Sequence, residues 1–115
     1  MAFLKECSVL GDVNKYELSN NIKKYSLRDV GFILTNAGGF LLERSLEPDK
    51  GINHSIKFKI LVNKSLDGFK MNNVSSSGNS EINIFTHKDA DLLIEQYNYQ
   101  INELIDREIL KRIEE

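Results

Sequence analysis

The stretch "KYSLRDVGFILTNAGGFLLERSLEPD", residues 24–49, contains two apolar runs separated by the glycine pair Gly38 and Gly39. Apolar runs on either side of Asn and Gly are typical of a β-hairpin, because these residues reach the positive φ angles that a tight turn needs. We therefore predict strands at residues 32–35 and 40–46. A phosphate-binding loop is disfavoured here, since such a loop opens a helix and not a second strand.

The residues just before the hairpin predict a short helix. Ser26 is a residue type that caps helix starts, and the charge of Asp29 suits the positive end of the helix dipole. Gly31 would end this helix within about two turns, because glycine is favoured just after the last helical residue. Tyr25 could belong to the same segment.

Outward from this stretch, alternation of apolar and polar residues predicts further strands. They are expected at residues 2–10, 16–18, 55–62, 69–73 and 81–85. The clearest is the run at 55–62, where Phe58 and Ile60 alternate with Lys57 and Lys59, as in a strand with one buried face.

Residues 88–113 predict a long C-terminal helix, because apolar residues recur there every three or four positions. The stripe consists of Leu93, Tyr97, Ile101, Leu104 and Ile105. The element order is then a strand, a short helix, four or five antiparallel strands and a long helix that packs on the sheet. Strands grouped apart from helices indicate an α+β fold, here a single domain over residues 1–115.

The composition excludes several classes of protein. Of the 115 residues 28% are charged, and the net charge of −2 divides into +3 for residues 1–88 and −5 for residues 89–115. This is not the strongly basic balance of a nucleic-acid binder. With one cysteine, Cys7, no intrachain disulfide is expected. No secretory signal or apolar run of about 18 residues is present, so we expect a cytoplasmic protein without a membrane partner.

The sequence contains no recognisable catalytic or metal-binding motif. His54, His87 and Cys7 are far apart and lack the spacing of zinc ligands. We therefore assign no catalytic residue, no metal and no cofactor, and an enzyme is the least supported class.

Four charged residues in the opening stretch are the best candidates for a binding site: Arg28, Asp29, Glu43 and Arg44. An arginine can hold a carboxylate or phosphate through two parallel hydrogen bonds. Neighbours on a strand face opposite sides, so Glu43 and Arg44 should not pair with each other. Two interpretations stay open, a structural salt bridge across the fold and a ligand clamp.

A second charged feature is a basic cluster on adjacent predicted strands. It consists of Lys57, Lys59, Lys64 and Lys70. A lysine-bearing sheet face with exposed aromatic rings could stack single-stranded RNA. However, Phe58, Phe69 and Phe85 occupy the positions expected to be buried, which favours an ordinary solvent-facing surface.

Several longer motifs resemble a known family. They are "VLGD", "KYSLRDVGF", "GGFLLERSLEPD", "GFKM" and "NIFTHKDADLLIEQY". Together they are similar to a family of small uncharacterised proteins from lactic-acid bacteria and related Gram-positives, labelled "putative amino-acid metabolism". The resemblance implies a curved antiparallel sheet carrying helices, similar to the TATA-binding-protein topology. It also implies a ligand connected with amino-acid metabolism, with links to cysteine and sulfur, and it supplies no catalytic residues.

We therefore predict a non-enzymatic accessory protein that binds a small anionic metabolite such as an amino acid. Arg28 and Arg44 would hold its carboxylate, and Asp29 or Glu43 would receive its amino group. One alternative is an interaction module that docks on a metabolic enzyme through a sheet edge or the acidic C-terminal helix. The other is RNA binding through the lysine-bearing face.

Overall fold

The computed structural model describes residues 3–113 of the chain, apart from the side chain of Ile52. In this part the chain forms two helices and seven strands. In order they are β1 (Glu6–Cys7), β2 (Lys15–Leu18), α1 (Lys24–Val30), β3 (Ile33–Leu34), β4 (Phe40–Ser45), β5 (Lys57–Val62), β6 (Phe69–Val74), α2 (Ala90–Asp106) and β7 (Leu110–Ile113). Short 3₁₀ turns lie at Pro48–Lys50, Ile52–His54 and Ile84–Thr86. The α+β class predicted from the sequence is confirmed.

The strands form two antiparallel sheets. One has the order β3-β4-β5-β6, and the other has the order β1-β2-β7. A pair of backbone hydrogen bonds between Leu4 and Phe69, with N–O distances of 3.0 and 2.9 Å, joins the segment before β1 to the edge of the larger sheet. The structure thus has sheets of three and four strands where the sequence predicted one sheet of about five. Similarity to the TATA-binding protein stays a prediction.

Both helices cover the same face of the four-stranded sheet. That inner face presents Phe58 and Ile60, which are fully buried, and α2 lies against it with the ring of Tyr97 edge-on to Phe58 at 5.7 Å between ring centres. The predicted stripe of α2 is confirmed as its buried side, and Leu27 of α1 joins the same core. Each fully buried side chain of this size contributes about 1.5–3 kcal/mol, so this layer supplies much of the stability.

Helix α1 begins earlier than the sequence predicted. Its N-cap is Lys23, which makes no side-chain cap, and Ser26 lies inside the helix. The prediction of Ser26 as the cap is therefore wrong. Its end is where we expected it, because Gly31 adopts a φ of +118° and its N–H donates to the carbonyls of Leu27 and Arg28.

The C-terminal helix is shorter than predicted. It ends at Asp106, Glu108 adopts a φ of +60°, and the chain reverses into β7, which pairs with β2 through Leu110 opposite Leu18. The helix prediction for residues 107–113 is wrong. The apolar spacing of this segment is compatible with a helix. In the structure, Ile109 and Leu110 are instead buried where the chain turns into β7 and pairs with β2.

Two predicted strands are also shorter in the structure. The strand predicted at residues 81–85 reduces to a single bridge between Glu81 and Val74, followed by the 3₁₀ turn at Ile84–Thr86. The Asn83 side chain accepts a hydrogen bond from the Phe85 N–H at 2.9 Å and so favours the turn. The first predicted strand, residues 2–10, is represented by β1, and its residue Ala2 lies outside the described residues.

Candidate functional site

A hollow of about 520 Å3 lies between α1, the β3–β4 hairpin and the turn after β5. We call it the cationic hollow. It is lined by Lys24, Tyr25, Arg28, Leu34, Gly38, Phe40 and Lys64. Its size is within the range of about 300–1,000 Å3 that is usual for small-molecule sites.

Helix α1 supplies two of the three cations in the cationic hollow. Lys24 and Arg28 are four residues apart, so their side chains emerge from the same face of the helix, one turn apart. Tyr25 extends beside them and is 63% exposed. Like charges at this spacing repel each other and destabilise a helix slightly.

The third cation, Lys64, lies in the turn after β5, and its side chain extends over the turn of the β3–β4 hairpin. Asn63 fixes the turn after β5, because its side-chain oxygen accepts hydrogen bonds from the N–H groups of Asp67 and Gly68 at 3.0 and 3.2 Å. The stem of Lys64 lies against Gly38, where an added Cβ would be 3.1 Å from Cδ of Lys64. Gly38 also has a φ of +89°, so glycine suits this position in conformation and in space.

The lining of the cationic hollow is positive and apolar. None of its residues is acidic, and among the described residues none of its three cations forms an ion pair with a carboxylate. Leu34, which is 57% exposed, and Phe40 supply the apolar wall. The arrangement can therefore hold an anionic group beside an apolar or flat portion of a ligand.

The four residues predicted from the sequence are not all part of this hollow. Arg28 lines it, whereas Asp29, Glu43 and Arg44 do not. Asp29 is exposed on α1. Glu43 is exposed on the outer face of the four-stranded sheet, opposite Lys59 in the strand register. The structure therefore brings Arg28 together with Lys24 and Lys64 and not with Arg44.

Arg44 connects three elements of the fold. It lies on the inner side of β4 and donates a hydrogen bond to the carbonyl of Val30, at the end of α1. One of its nitrogens is also 3.9 Å from a carboxylate oxygen of Glu103 on α2. A cation at a helix C-terminus is favourable, because the last carbonyls of a helix lack partners. Of the two interpretations made from sequence, these contacts correspond to the structural one.

The basic cluster lies mainly on the open face of the larger sheet. Lys57, Lys59 and Lys70 are half-buried there, and the Lys70 amine lies over the Phe3 ring, 4.7 Å from its centre. Phe58 and Phe69 are fully buried on the opposite face, as predicted. Lys64 lies at the end of this face, because it lines the cationic hollow and also a second hollow with Phe3 and Leu61.

The cysteine and histidines lie in separate surroundings. Burial raises the pKa of the Cys7 thiol, whose sulfur donates to the Phe69 carbonyl at 3.3 Å. His87 accepts the N–H of Asp89 through Nδ1 at 3.0 Å, just before α2. Within residues 3–113 no group of three His, Cys, Asp or Glu is placed to hold a metal ion. Neither helix in that range has the length and apolarity needed to cross a membrane.

Sequence reasoning missed Lys24 and Tyr25, which line the cationic hollow, and it grouped Lys64 with the sheet lysines although Lys64 lines this hollow as well. Lys24 and Arg28 carried a usable signal, because two like charges one helical turn apart point to a positive helix face. Lys64 carried none, since its approach to the hairpin depends on how β5 pairs with β4.

The chain is similar to a known protein family and to a solved crystal structure. The family model described as "Putative amino acid metabolism" (DUF1831) matches residues 1–111. The chain belongs to this family. The crystal structure of a DUF1831 family protein from Lactobacillus plantarum is 37% identical in sequence, with a TM-score of 0.89, over 98% of this chain and 99% of that one. No curated protein gave a match.

Membership confirms the resemblance inferred from the sequence motifs. The match to the family model includes every element from β1 to α2, and all residues of the cationic hollow lie inside it. The family description names a metabolic setting and no reaction, and a fold does not by itself define a function.

Proposed function

We propose that the protein is a non-enzymatic accessory protein that binds a small anionic metabolite in the cationic hollow, in the setting of amino-acid metabolism. The observation that carries this proposal is the convergence of Lys24, Arg28 and Lys64 on a hollow without an acidic lining residue. Cations gathered without counter-charges repel one another, and a bound anion relieves that repulsion.

Arg28 keeps the role predicted from the sequence, but Lys24 and Lys64 take the place of Arg44. An arginine can direct two parallel N–H donors at one carboxylate or phosphate, whereas a lysine acts as a mobile point charge. Arg28 would therefore orient the anion, and the two lysines would add attraction from opposite sides of the hollow. Arg44 is already occupied by the Val30 carbonyl and by Glu103.

RNA binding would use a different surface, the open face of the larger sheet. Two rings that could have stacked bases, Phe58 and Phe69, are buried on the other side, and Phe3 is covered by the Lys70 amine. Docking through the acidic helix would involve Glu103, which is already beside Arg44. These contacts favour the cationic hollow over RNA binding and over docking through the acidic helix, while docking through a sheet edge stays an alternative.

The proposal is tested by thermal unfolding with a panel of anions at constant ionic strength of about 0.1 M, so that general screening is the same in every sample. The panel contains phosphate, sulfate, dicarboxylates and free amino acids. A ligand present at 100 times its dissociation constant should raise the free energy of unfolding by about 2.7 kcal/mol.

A matched pair of variants locates the site. Lys64→Gln removes a charge from the cationic hollow, whereas Lys23→Gln removes a charge next to α1 that does not line it. We expect Lys64→Gln to weaken binding at least tenfold and Lys23→Gln to leave it within twofold. Equal effects of the two changes, or no stabilisation by any anion, would contradict the proposal.

A further inference from the structure

The electrostatics of the cationic hollow restrict the charge of its ligand. Lys24, Arg28 and Lys64 place three positive side chains around one space. A single carboxylate offsets one of these charges, whereas a phosphate monoester carries nearly two negative charges at neutral pH and three acceptor oxygens. The charge of the hollow therefore suits a phosphate better than a monocarboxylate.

The same lining disfavours a free amino acid. An amino-acid ligand would carry an ammonium group, which needs carboxylate or carbonyl acceptors. The two acids nominated from sequence for this role, Asp29 and Glu43, lie outside the hollow. The ammonium group would instead enter a space lined by cations, where like charges repel.

The remaining walls indicate what the phosphate is attached to. Tyr25 presents a ring that is 63% exposed, and Leu34 presents an apolar side chain that is 57% exposed. Small-molecule sites are commonly lined by apolar and aromatic side chains together with a few charged groups, as this hollow is. A planar ring on the ligand is able to stack on Tyr25 and contact Leu34, and a base gains affinity when it stacks on an aromatic side chain.

We propose that the cationic hollow binds a phosphorylated compound that carries a planar ring, the class that includes aryl phosphates and nucleoside monophosphates. This inference rests on the proposed function, because it specifies the ligand of the same hollow. Arg28 and Lys64 hold the phosphate, and Tyr25 stacks on the ring. The volume of about 520 Å3 accommodates a ligand of this size.

Isothermal titration calorimetry with four probes tests the ligand class. The probes are inorganic phosphate, phenyl phosphate, adenosine 5′-monophosphate and adenosine, all at the same ionic strength. We expect phenyl phosphate or adenosine 5′-monophosphate to bind at least tenfold more tightly than inorganic phosphate, and adenosine to bind weakly.

Two variants separate the ring from the charge. Tyr25→Ala should reduce the affinity for the ring-bearing phosphate at least tenfold and leave that for inorganic phosphate unchanged. Lys64→Gln should reduce both affinities, and Lys23→Gln should reduce neither. Circular dichroism of each variant confirms that it is folded.

The outcomes distinguish failure of this inference from failure of the proposed function. If inorganic phosphate or a carboxylate binds in a Lys64-dependent way, but the ring adds nothing and Tyr25→Ala has no effect, the ring-bearing ligand is refuted and the anion site stands. If none of the anions binds, or Lys64→Gln and Lys23→Gln behave alike, both are refuted.

Discussion

Removal of a single hydroxyl group, in Tyr97→Phe, should destabilise the protein by about 1.5 kcal/mol. The Tyr97 hydroxyl donates to the Asp12 carboxylate at 2.7 Å, linking the turn after β1 to α2. The ring is fully buried and edge-on to Phe58 and Phe85, so Phe at position 97 preserves the packing. Hydrogen bonds to charged groups contribute about 1.5–3 kcal/mol, and the low end applies because half-buried Asp12 can regain water.

A double-mutant cycle isolates the contribution of this hydrogen bond. Tyr97→Phe, Asp12→Asn and the double variant are unfolded in urea and followed by circular dichroism. We expect a coupling energy of at least about 1 kcal/mol, compared with about 0.3–0.5 kcal/mol or less for independent sites. In thermal unfolding, Tyr97→Phe should lower Tm by roughly 6 °C, at about 4 °C per kcal/mol for a chain of this size.

The same pair predicts a change of stability at alkaline pH. Burial, and then the hydrogen bond to Asp12, raise the pKa of Tyr97 far above its ordinary value. The stabilisation is complete below the unfolded-state pKa of about 10. Above it the unfolded chain loses a proton that the folded chain keeps, so stability falls by about 1.4 kcal/mol per pH unit.

Tyr97→Phe lacks this proton, so its deficit relative to the wild type should shrink from about 1.5 kcal/mol at pH 8 to near zero at pH 11. Tyr99→Phe is the control, because Tyr99 is 66% exposed. A deficit for Tyr97→Phe that stays constant between pH 8 and 11 would refute the reasoning.

Three further predictions concern other buried or paired groups. Arg44→Met should lower the free energy of unfolding in urea by about 1–2 kcal/mol, because the Val30 carbonyl at the end of α1 loses its hydrogen-bond donor. Glu103→Gln should lower it by less than about 0.5 kcal/mol, since the ion pair with Arg44 is long and partly exposed. Equal losses for the two variants would contradict this prediction. The N–H of Ile56 lowers the pKa of Glu47, so the stabilisation from Glu47 should be present above about pH 4.3 and disappear as pH falls further. Glu47→Gln should therefore be less stable at pH 7, and its deficit should shrink as pH falls below about 4.3; a deficit that stays constant between pH 7 and pH 3 would argue otherwise. The Cys7 thiol should react with Ellman's reagent only as fast as the fold opens, at least a hundredfold more slowly than in urea, and fast labelling would show that it is accessible.

The parts of the fold that were predicted correctly are those specified by local sequence. The alternation around Phe58 and Ile60 fixes which face of β5 is buried, because side chains of a strand alternate between its two faces. Gly31 ends α1 because glycine reaches positive φ without strain. The stripe that contains Tyr97 identifies the buried side of α2 in the same way.

The errors occurred where tertiary contacts outweigh local pattern. The spacing of Ile105, Ile109 and Leu110 continues the helical period. In the structure, however, residues 110–113 form β7, which pairs with the side of β2 that β1 does not occupy. No periodicity within the segment indicates that the strand partner is β2, which lies about ninety residues earlier in the chain. The division into two sheets has the same origin, because it depends on which distant strands pair.

Arg28 and Arg44 are close in sequence, but their side chains lie in different parts of the structure. Arg28 and Arg44 lie on either side of the glycine turn in sequence, but Arg44 has the same side-chain direction as Leu42 on β4 and is directed towards the helices. Its partners, the Val30 carbonyl and Glu103, come from different elements, so no local pattern in the sequence predicts these contacts.

In the cationic hollow, stability and binding should respond to mutation in opposite directions. Lys24 and Arg28 form a like-charge pair one turn apart, which costs a helix about 0.2–0.5 kcal/mol, and Lys64 adds a third positive charge. A residue with a structural role should stabilise the ligand-free chain, as we predict for Arg44 through its hydrogen bond to the Val30 carbonyl. Lys64→Gln should instead leave the ligand-free protein as stable as the wild type or slightly more so, while it weakens anion binding. A loss of binding without a loss of stability in Lys64→Gln would therefore support the proposed anion site, whereas a loss of stability would indicate a structural role for Lys64.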